Sequence, residues 1–325
     1  MSSERRFVSQ LAHNEQVDQV FLASNKQLRP NRQGNLFLQL DLSDRSGSMP
    51  CRMWNATEGH YKSFENGDYV YIEGMAQLFQ GSMQMIVQSI KRAAPGEVDE
   101  SDFMTLQTAE VQALKDKLTA ILKKVKSKPL AALVDAYLGD EVFMDKFSRA
   151  PAGIKNHHAY KGGLLDHVVA ILELVEVVAP KYPQVDLEKL LVGTFLHDSG
   201  KIDELDYERD LAYTDEGQML GHIVQAVCVL DRKAREAEQR AQIAFPPVLL
   251  MELKHMVLSH HGRMEFGSPK LPMTLEAVVL AALDDMDAKL ASFTGLINEC
   301  PNAESRWTQY FPNIDRKLWK GVGSD

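Results

Sequence analysis

KLLVGTFLHDSGK, residues 189–201, decides how this chain is read. Leu190, Leu191, Val192, Phe195 and Leu196 form an apolar helical run that ends on His197-Asp198, with Gly200 placed to terminate the helix. An imidazole and an ionised carboxylate buried together there are costly unless a cation or hydrogen bonds compensate them. That cost points toward metal.

The chain on either side repeats the theme. In LLDHVVAILELVEVV (164–178), apolar residues at 164, 168, 171, 172, 175 and 178 draw one helical stripe, and His167 lies on its edge. A lone histidine there is more often a satisfied core residue than a ligand. Downstream, however, GHIV (221–224) carries His222, LSHHG (258–262) carries His260 and His261, and LDDMDAKL (283–290) carries Asp284. Neutral imidazole suits first-row transition metals, and a carboxylate can bridge two cations about 3.5–4 Å apart that clamp a phosphate ester.

The character changes near Ala94-Pro95-Gly96. Before it, LFLQLDLSDRSGSMPCRMWNA (36–56) and GDYVYIEGMAQLFQGSMQMIVQSI (67–90) alternate apolar and polar residues around turn clusters, with 43–48 read as a turn. Strands are expected over 36–42, 49–54, 69–74 and 83–90, and several short strands in about 80 residues suggest a small barrel. Opposite the Leu36/Leu38/Leu40 face stands Phe37; opposite Met49/Cys51/Met53 stand Arg52 and Trp54. Such a surface suits base stacking and phosphate contact, and barrel aromatics equally often cover the rim of a core. Residues 96–107 read as a linker, acidic over 97–102, and helical periodicity then runs through Val111, Leu114, Leu118, Ile121, Leu122 and Val125 to a break at Lys128-Pro129 and onward.

Composition bounds the rest. Three scattered cysteines, Cys51, Cys228 and Cys300, without a CxxC, indicate neither a disulfide framework nor a cysteine zinc site and fit a reducing cytoplasm. MSSERRFVSQ has no apolar signal core and no stretch nears the roughly 18–20 apolar residues of a membrane span, so a soluble protein without membrane contact is expected. The net charge of −9 is uneven: residues 1–95 hold ten Lys/Arg against nine Asp/Glu, and the remainder 26 against 36. An acidic helical domain can still accept a phosphate backbone once bound cations reverse the local sign.

Two resemblances follow. Segments 36–56 and 67–90 resemble OB-fold modules that bind single-stranded nucleic acid. LLDHV, LHDSGK, GHIV, LSHHG and LDDMDAKL, in that order, resemble the HD superfamily of metal-dependent phosphohydrolases. NHHAYKGGLLDHV (156–168) and SHHGRMEFGSPKLPMTLEAVVLAALDDMDAKL (259–290) are similar to blocks of YhaM-type 3′→5′ exoribonucleases, which join an N-terminal OB-fold to a C-terminal HD domain. The resemblance implies a multidomain chain: a small β-barrel (1–95), a linker (96–107) and an all-α HD domain (108–325).

It also implies roles. His167, His197, Asp198 and Asp284 would hold one metal; Asp198 would bridge to a second, completed by His222, His260 and His261. Asp284 is favoured over Asp285 because the family pattern places Asp-Ala three residues later, as in Asp287-Ala288. Lys201 resembles a lysine that binds phosphate or stabilises developing charge, or is a surface salt bridge. Asp287 would orient the nucleophilic water or carry a proton, or support a ligand from behind. His157 and His158 would bind substrate phosphate, or are polar loop histidines. His13, His60 and His255 match no motif and are read as structural.

Departures narrow the reading. Gly163 stands where trinuclear relatives carry a glutamate, GRMEFGSP replaces their GYP element, and Arg263 falls where the exonuclease block is commonly acidic. The resemblance implies two divalent metal ions, Mn2+ first with Fe, Co or Zn also accommodated, and release of nucleoside 5′-monophosphates from single-stranded RNA, with single-stranded DNA a second substrate and the oligomeric state open. A phosphohydrolase of small nucleotides with a regulatory barrel, and a non-catalytic nucleic-acid-binding protein, are the rival classes.

Overall fold

The computed structural model describes residues 5–79, 82–94, 96, 98–103, 106–154, 160–207, 212–298, 300 and 305–321. The chain divides into two compact units, Met1–Thr105 with Phe293–Asp325, and Leu106–Ser292.

The first unit contains a closed barrel of β1 (Glu15–Pro30), β2 (Leu36–Asp44), β3 (Gly47–Trp54), β4 (Tyr69–Phe79) and β5 (Ser82–Arg92), in the order β1-β2-β3-β5-β4, with α1 (Glu58–Lys62) between β3 and β4 in sequence. The alternation works as expected: Leu38, Leu40, Leu42, Met49, Cys51 and Met53 point into one core with Val70, Ile72 and Met85. Closure depends on β1, which the alternation did not reveal. Glu15–Leu22 pairs with β4 and Leu22–Pro30 with β2, with a register slip between Ser24 and Gln27, so one bent strand serves two neighbours and spares the barrel an open edge. The β2–β3 turn is tighter than the sequence suggests. Asp44 pairs with Gly47, leaving Arg45-Ser46 as the turn, where the Ser46 N–H donates to the Asp44 carboxylate at 2.8 Å. Part of the acidic stretch is tied to the barrel: the Arg45 N–H donates to the Asp102 carbonyl at 2.8 Å, Arg5 pairs with the Asp102 carboxylate at 3.0 Å, and Phe103 packs on Tyr69.

The second unit is helical: α2 (Thr108–Leu122), α3 (Lys128–Leu138), α4 (Glu141–Arg149), α5 (Gly163–Val178), α6 (Leu187–Leu196), α7 (Lys201–Glu204), α8 (Asp215–Ala241), α9 (Pro247–Ser259) and α10 (Leu275–Asn298, its last turns from Phe293 counted with the first unit), with a two-stranded β6–β7 ribbon (Leu205–Asp206, Ala212–Tyr213). Helix starts carry their own chemistry. Asp140, Asp186 and Thr214 accept main-chain N–H groups at the N-termini of α4, α6 and α8, and Pro129 opens α3. A single core joins the apolar stripes of α2–α6, α8, α9 and α10, with Phe143 and Phe195 edge-on to Tyr137 and Phe147 stacked on Phe143 and edge-on to Phe195. Behind Tyr137 the buried Lys233 ammonium donates to the Ala136 carbonyl at 3.1 Å and pairs with Asp140 and Glu236 at 2.7 and 2.8 Å. No helix of the described residues is long and apolar enough to cross a membrane.

Candidate metal centre and nucleic-acid face

His197 caps the C-terminus of α6, and Asp198 follows it in the turn. Gly200 follows the end of α6 in a right-handed conformation (φ −72°), and its bareness serves close approach. A Cβ there would stand 2.0 Å from the carbonyl oxygen of His222. That carbonyl reaches the dyad because α8 breaks at Gly221 (φ 72°, ψ 156°), and the helix restarts at His222. His260 caps the end of α9, and His261 follows it. α5 and α10 bring His167 and Asp284.

These seven side chains meet in two sets. The donor atoms of Asp198, His222, His260 and His261 all lie within 4.8 Å of one another, as do those of His167, His197 and Asp284. Asp198 faces both. Its Oδ1 is 3.5 Å from His222 Nε2 and 3.4 Å from His260 Nε2; its Oδ2 is 3.6 Å from His167 Nε2 and 3.5 Å from His197 Nε2. Asp284 Oδ1 stands 3.3 Å from His167 Nε2 and 3.9 Å from His197 Nε2.

Every imidazole is held from behind. Nδ1 of His197, His260 and His261 donates to the carbonyls of Thr194, Val257 and Phe266, at 2.6, 2.8 and 2.7 Å. Nδ1 of His222 donates to Glu204 Oε1 at 3.0 Å, and Nδ1 of His167 to Asp287 Oδ2 at 2.9 Å. A proton on Nδ1 leaves the lone pair on Nε2, so all five rings offer that atom inward. Among the described residues, the Nε2 atoms of His197, His222 and His260 and Oδ1 of Asp198 are buried without a hydrogen-bond partner. Three of these orphaned acceptors belong to the second set and one to the first, and burying them unpartnered would be costly. Two donors about 2.1 Å from one cation, at 90–110° to each other, stand about 3.0–3.4 Å apart, close to the spacings seen here. The residues fit divalent metal.

The charges agree with this. Burial pushes His197 and His261 down to about 4, so both rings are neutral at neutral pH. At His167 burial acts downward but is outweighed by hydrogen bonds to Asp284 and Asp287 and by the charges of Asp284 and Asp198, raising it to about 9, so without a cation this ring carries a second proton on Nε2, which a bound metal would displace. Burial would raise Asp198, yet the Lys201 ammonium and the His197 and His260 rings hold it well below the carboxylate range. Lys201 Nζ lies 2.6 Å from Asp198 Oδ2.

Of the other expected residues, Asp287 stands on the far side of His167 from Nε2, the position of a supporting carboxylate. Asp285 is apart from both sets and pairs with Lys289 at 2.6 Å. His157 and His158 lie outside the described residues. His13, His60 and His255 accept main-chain N–H groups from Leu78, Thr57 and Met273. Glu204 escaped the sequence reading: besides holding His222 Nδ1, its Oε1 accepts the His222 main-chain N–H at 2.9 Å. Nothing local marks it, because its partner lies 18 residues onward. On the barrel, Phe37 and Trp54 are cross-strand partners with ring centroids 5.4 Å apart, and the Arg52 guanidinium lies 5.9 Å from the Trp54 ring. Trp54 is 46% exposed.

The HD domain family model matches residues 164–289, which include all seven clustered side chains, and the model of an OB-fold nucleic acid binding domain matches 22–93, which include Phe37, Arg52 and Trp54. The 3′-5′ exoribonuclease YhaM of Bacillus velezensis is 36% identical over 283 residues, 85% of this chain and 86% of that protein. This chain belongs to the YhaM family. The YhaM proteins of Bacillus subtilis and Listeria innocua are each 34% identical to it, over 281 and 258 residues, covering 85% and 79% of this chain and 86% and 80% of theirs. The two family models match in the order OB-fold, then HD domain.

Proposed function

We propose that the protein is a metal-dependent 3′→5′ exoribonuclease that hydrolyses single-stranded RNA to nucleoside 5′-monophosphates in the cytoplasm. The observation that carries this reading is Asp198, one carboxylate whose two oxygens face two separate imidazole sets. His167, His197, Asp198 and Asp284 would hold one cation, and Asp198, His222, His260 and His261 a second. Manganese is the first assignment, and an imidazole-rich, carboxylate-bridged site also accommodates iron, cobalt or zinc. Such a pair supplies an activated water and neutralises charge on phosphate oxygens.

The chain's own residues do the rest. Glu204 and Asp287 fix ring orientation, so the donors need no reorganisation when substrate arrives. Lys201 places an ammonium beside the bridging carboxylate, where a phosphate oxygen gaining charge would meet it. Residues 1–95 form the strand-binding module, with Phe37, Arg52 and Trp54 as its stacking face, 96–107 the connection, and 108–325 the catalytic domain. The test is a 5′-labelled and a 3′-labelled RNA incubated with manganese or with chelator. The 5′-labelled strand should shorten progressively, the 3′ label should leave as a mononucleotide, and chelator should stop both. Hydrolysis of free nucleotides with no shortening of RNA would replace this reading with a small-nucleotide phosphohydrolase.

A further inference from the structure

Beside His261 lies a cleft of about 330 Å³, walled by the loop after α9 and by α10, that none of the roles above uses. Its wall includes Arg263, Phe266, Val278, Asp285 and Lys289. Resting on the exonuclease reading, we infer that this cleft seats the base and sugar of the 3′-terminal nucleotide, the one released.

The ring chemistry comes first. Phe266 is 57% exposed, and the Arg263 guanidinium lies 5.8 Å from its centroid. A phenyl face backed by a guanidinium is a platform for a base, which stacks on the ring irrespective of its identity. The loop is built to present it. Gly262 (φ 72°) and Gly267 (φ 92°) take left-handed conformations at either end, turning Arg263–Phe266 back over His261.

Size and charge select the occupant. The volume falls at the small end of the about 300–1,000 Å³ typical of ligand pockets, enough for one nucleoside. Arg263 and Lys289 outnumber Asp285, which suits an occupant attached to phosphate. The cleft is also joined to the metal centre by one residue: the Phe266 carbonyl accepts the Nδ1 proton of His261 at 2.7 Å. The residue that would stack the terminal base therefore also orients an imidazole of the second set. Arg263, the departure from the usual acidic position, becomes a binding residue for the terminal nucleotide.

The experiment uses full-length protein loaded with manganese. Binding of adenosine 5′-monophosphate is measured by calorimetry for wild type, Phe266→Ala, Phe266→Trp and Arg263→Ala. In parallel, kcat/KM is measured on an oligoribonucleotide and on its twin lacking only the 3′-terminal base. Phe266→Ala should weaken mononucleotide binding about 5- to 150-fold, the range for one lost stack. Its metal content should be unchanged, because the carbonyl that holds His261 remains. Wild type should disfavour the abasic end by a similar factor, Phe266→Ala should no longer distinguish the two substrates, and Phe266→Trp should restore the distinction. Arg263→Ala, which removes no packed side chain, should weaken binding in the same direction. If Phe266→Ala and Arg263→Ala bind and discriminate as wild type does, the cleft is not the base site, while continued shortening of RNA keeps the exonuclease reading. If wild type shortens no RNA, that reading fails, and mononucleotide binding still decides the cleft.

Discussion

The two units place their polar chemistry on opposite sides of their cores. In the barrel, the core is apolar and closed, and Phe37, Arg52 and Trp54 stand outside it on β2 and β3. In the helical unit, His167, His197, Asp198 and His260 are as buried as the leucines around them. A surface set can be altered with little cost to the fold. A buried set is part of the packing, so its orientation is exact and its loss is felt by both structure and chemistry.

The sharpest way to break that contrast is Asp198→Asn. It removes charge from both donor sets, and its effect should exceed the 10–100-fold expected for residues that only support a ligand. Turnover should fall to near background and bound metal should drop at both sites, with helical circular dichroism retained. A folded variant with wild-type activity and metal content would dismiss the bridging role.

On the barrel side, Trp54→Ala should weaken binding of long single-stranded RNA about 5- to 150-fold, leaving metal content and hydrolysis of short oligonucleotides unchanged. Equal affinity for long strands would make the aromatic pair a cover for the barrel rim.

How much of this was legible depended on whether a residue's partner is near in sequence. The leucine alternation of β2 and the apolar runs around the histidines record local periodicity, and the barrel and the helices follow from them; the gathering of the imidazoles came from the ordered resemblance to HD domains. β1 was hidden because its register slips between Ser24 and Gln27 and its burial loses strict alternation. Glu204 was hidden because its task exists only once the break at Gly221 brings His222 over α7. Asp287 was visible as a residue but open as to role, and its place behind His167 is a fact of packing.

That distinction supplies the next test. Glu204→Ala and Asp287→Asn should each weaken metal affinity or activity about 10–100-fold. The shape of the pH–rate profile should stay that of wild type. If Asp287→Asn instead keeps its metals tightly and changes the profile, Asp287 carries a proton. The smallest effect should come from a buried charge that serves the fold alone. The Lys233 ammonium that hydrogen-bonds Asp140 holds its carboxyl below the ordinary range. A depressed carboxyl stabilises the fold above its unfolded pKa of about 3.9 and loses that contribution as pH falls through the folded value. The carboxylate is partly exposed and screened, so Asp140→Asn should cost about 1 kcal/mol or less at neutral pH and flatten the acid decline of the melting temperature, with metal binding unaffected. An unchanged acid limb would exclude this pair from the pH response.

Gly200 gives the centre its gauge. Because the bare backbone at the dyad turn touches the carbonyl of His222, the interval between the two imidazole sets is set by main chain against main chain rather than by flexible side chains. A methyl group at that point would act as a wedge, driving the restarted α8 outward and stretching the span that Asp198 must cover. Few side chains in the centre are as constrained as this absent one, and its contribution to the chemistry is a distance.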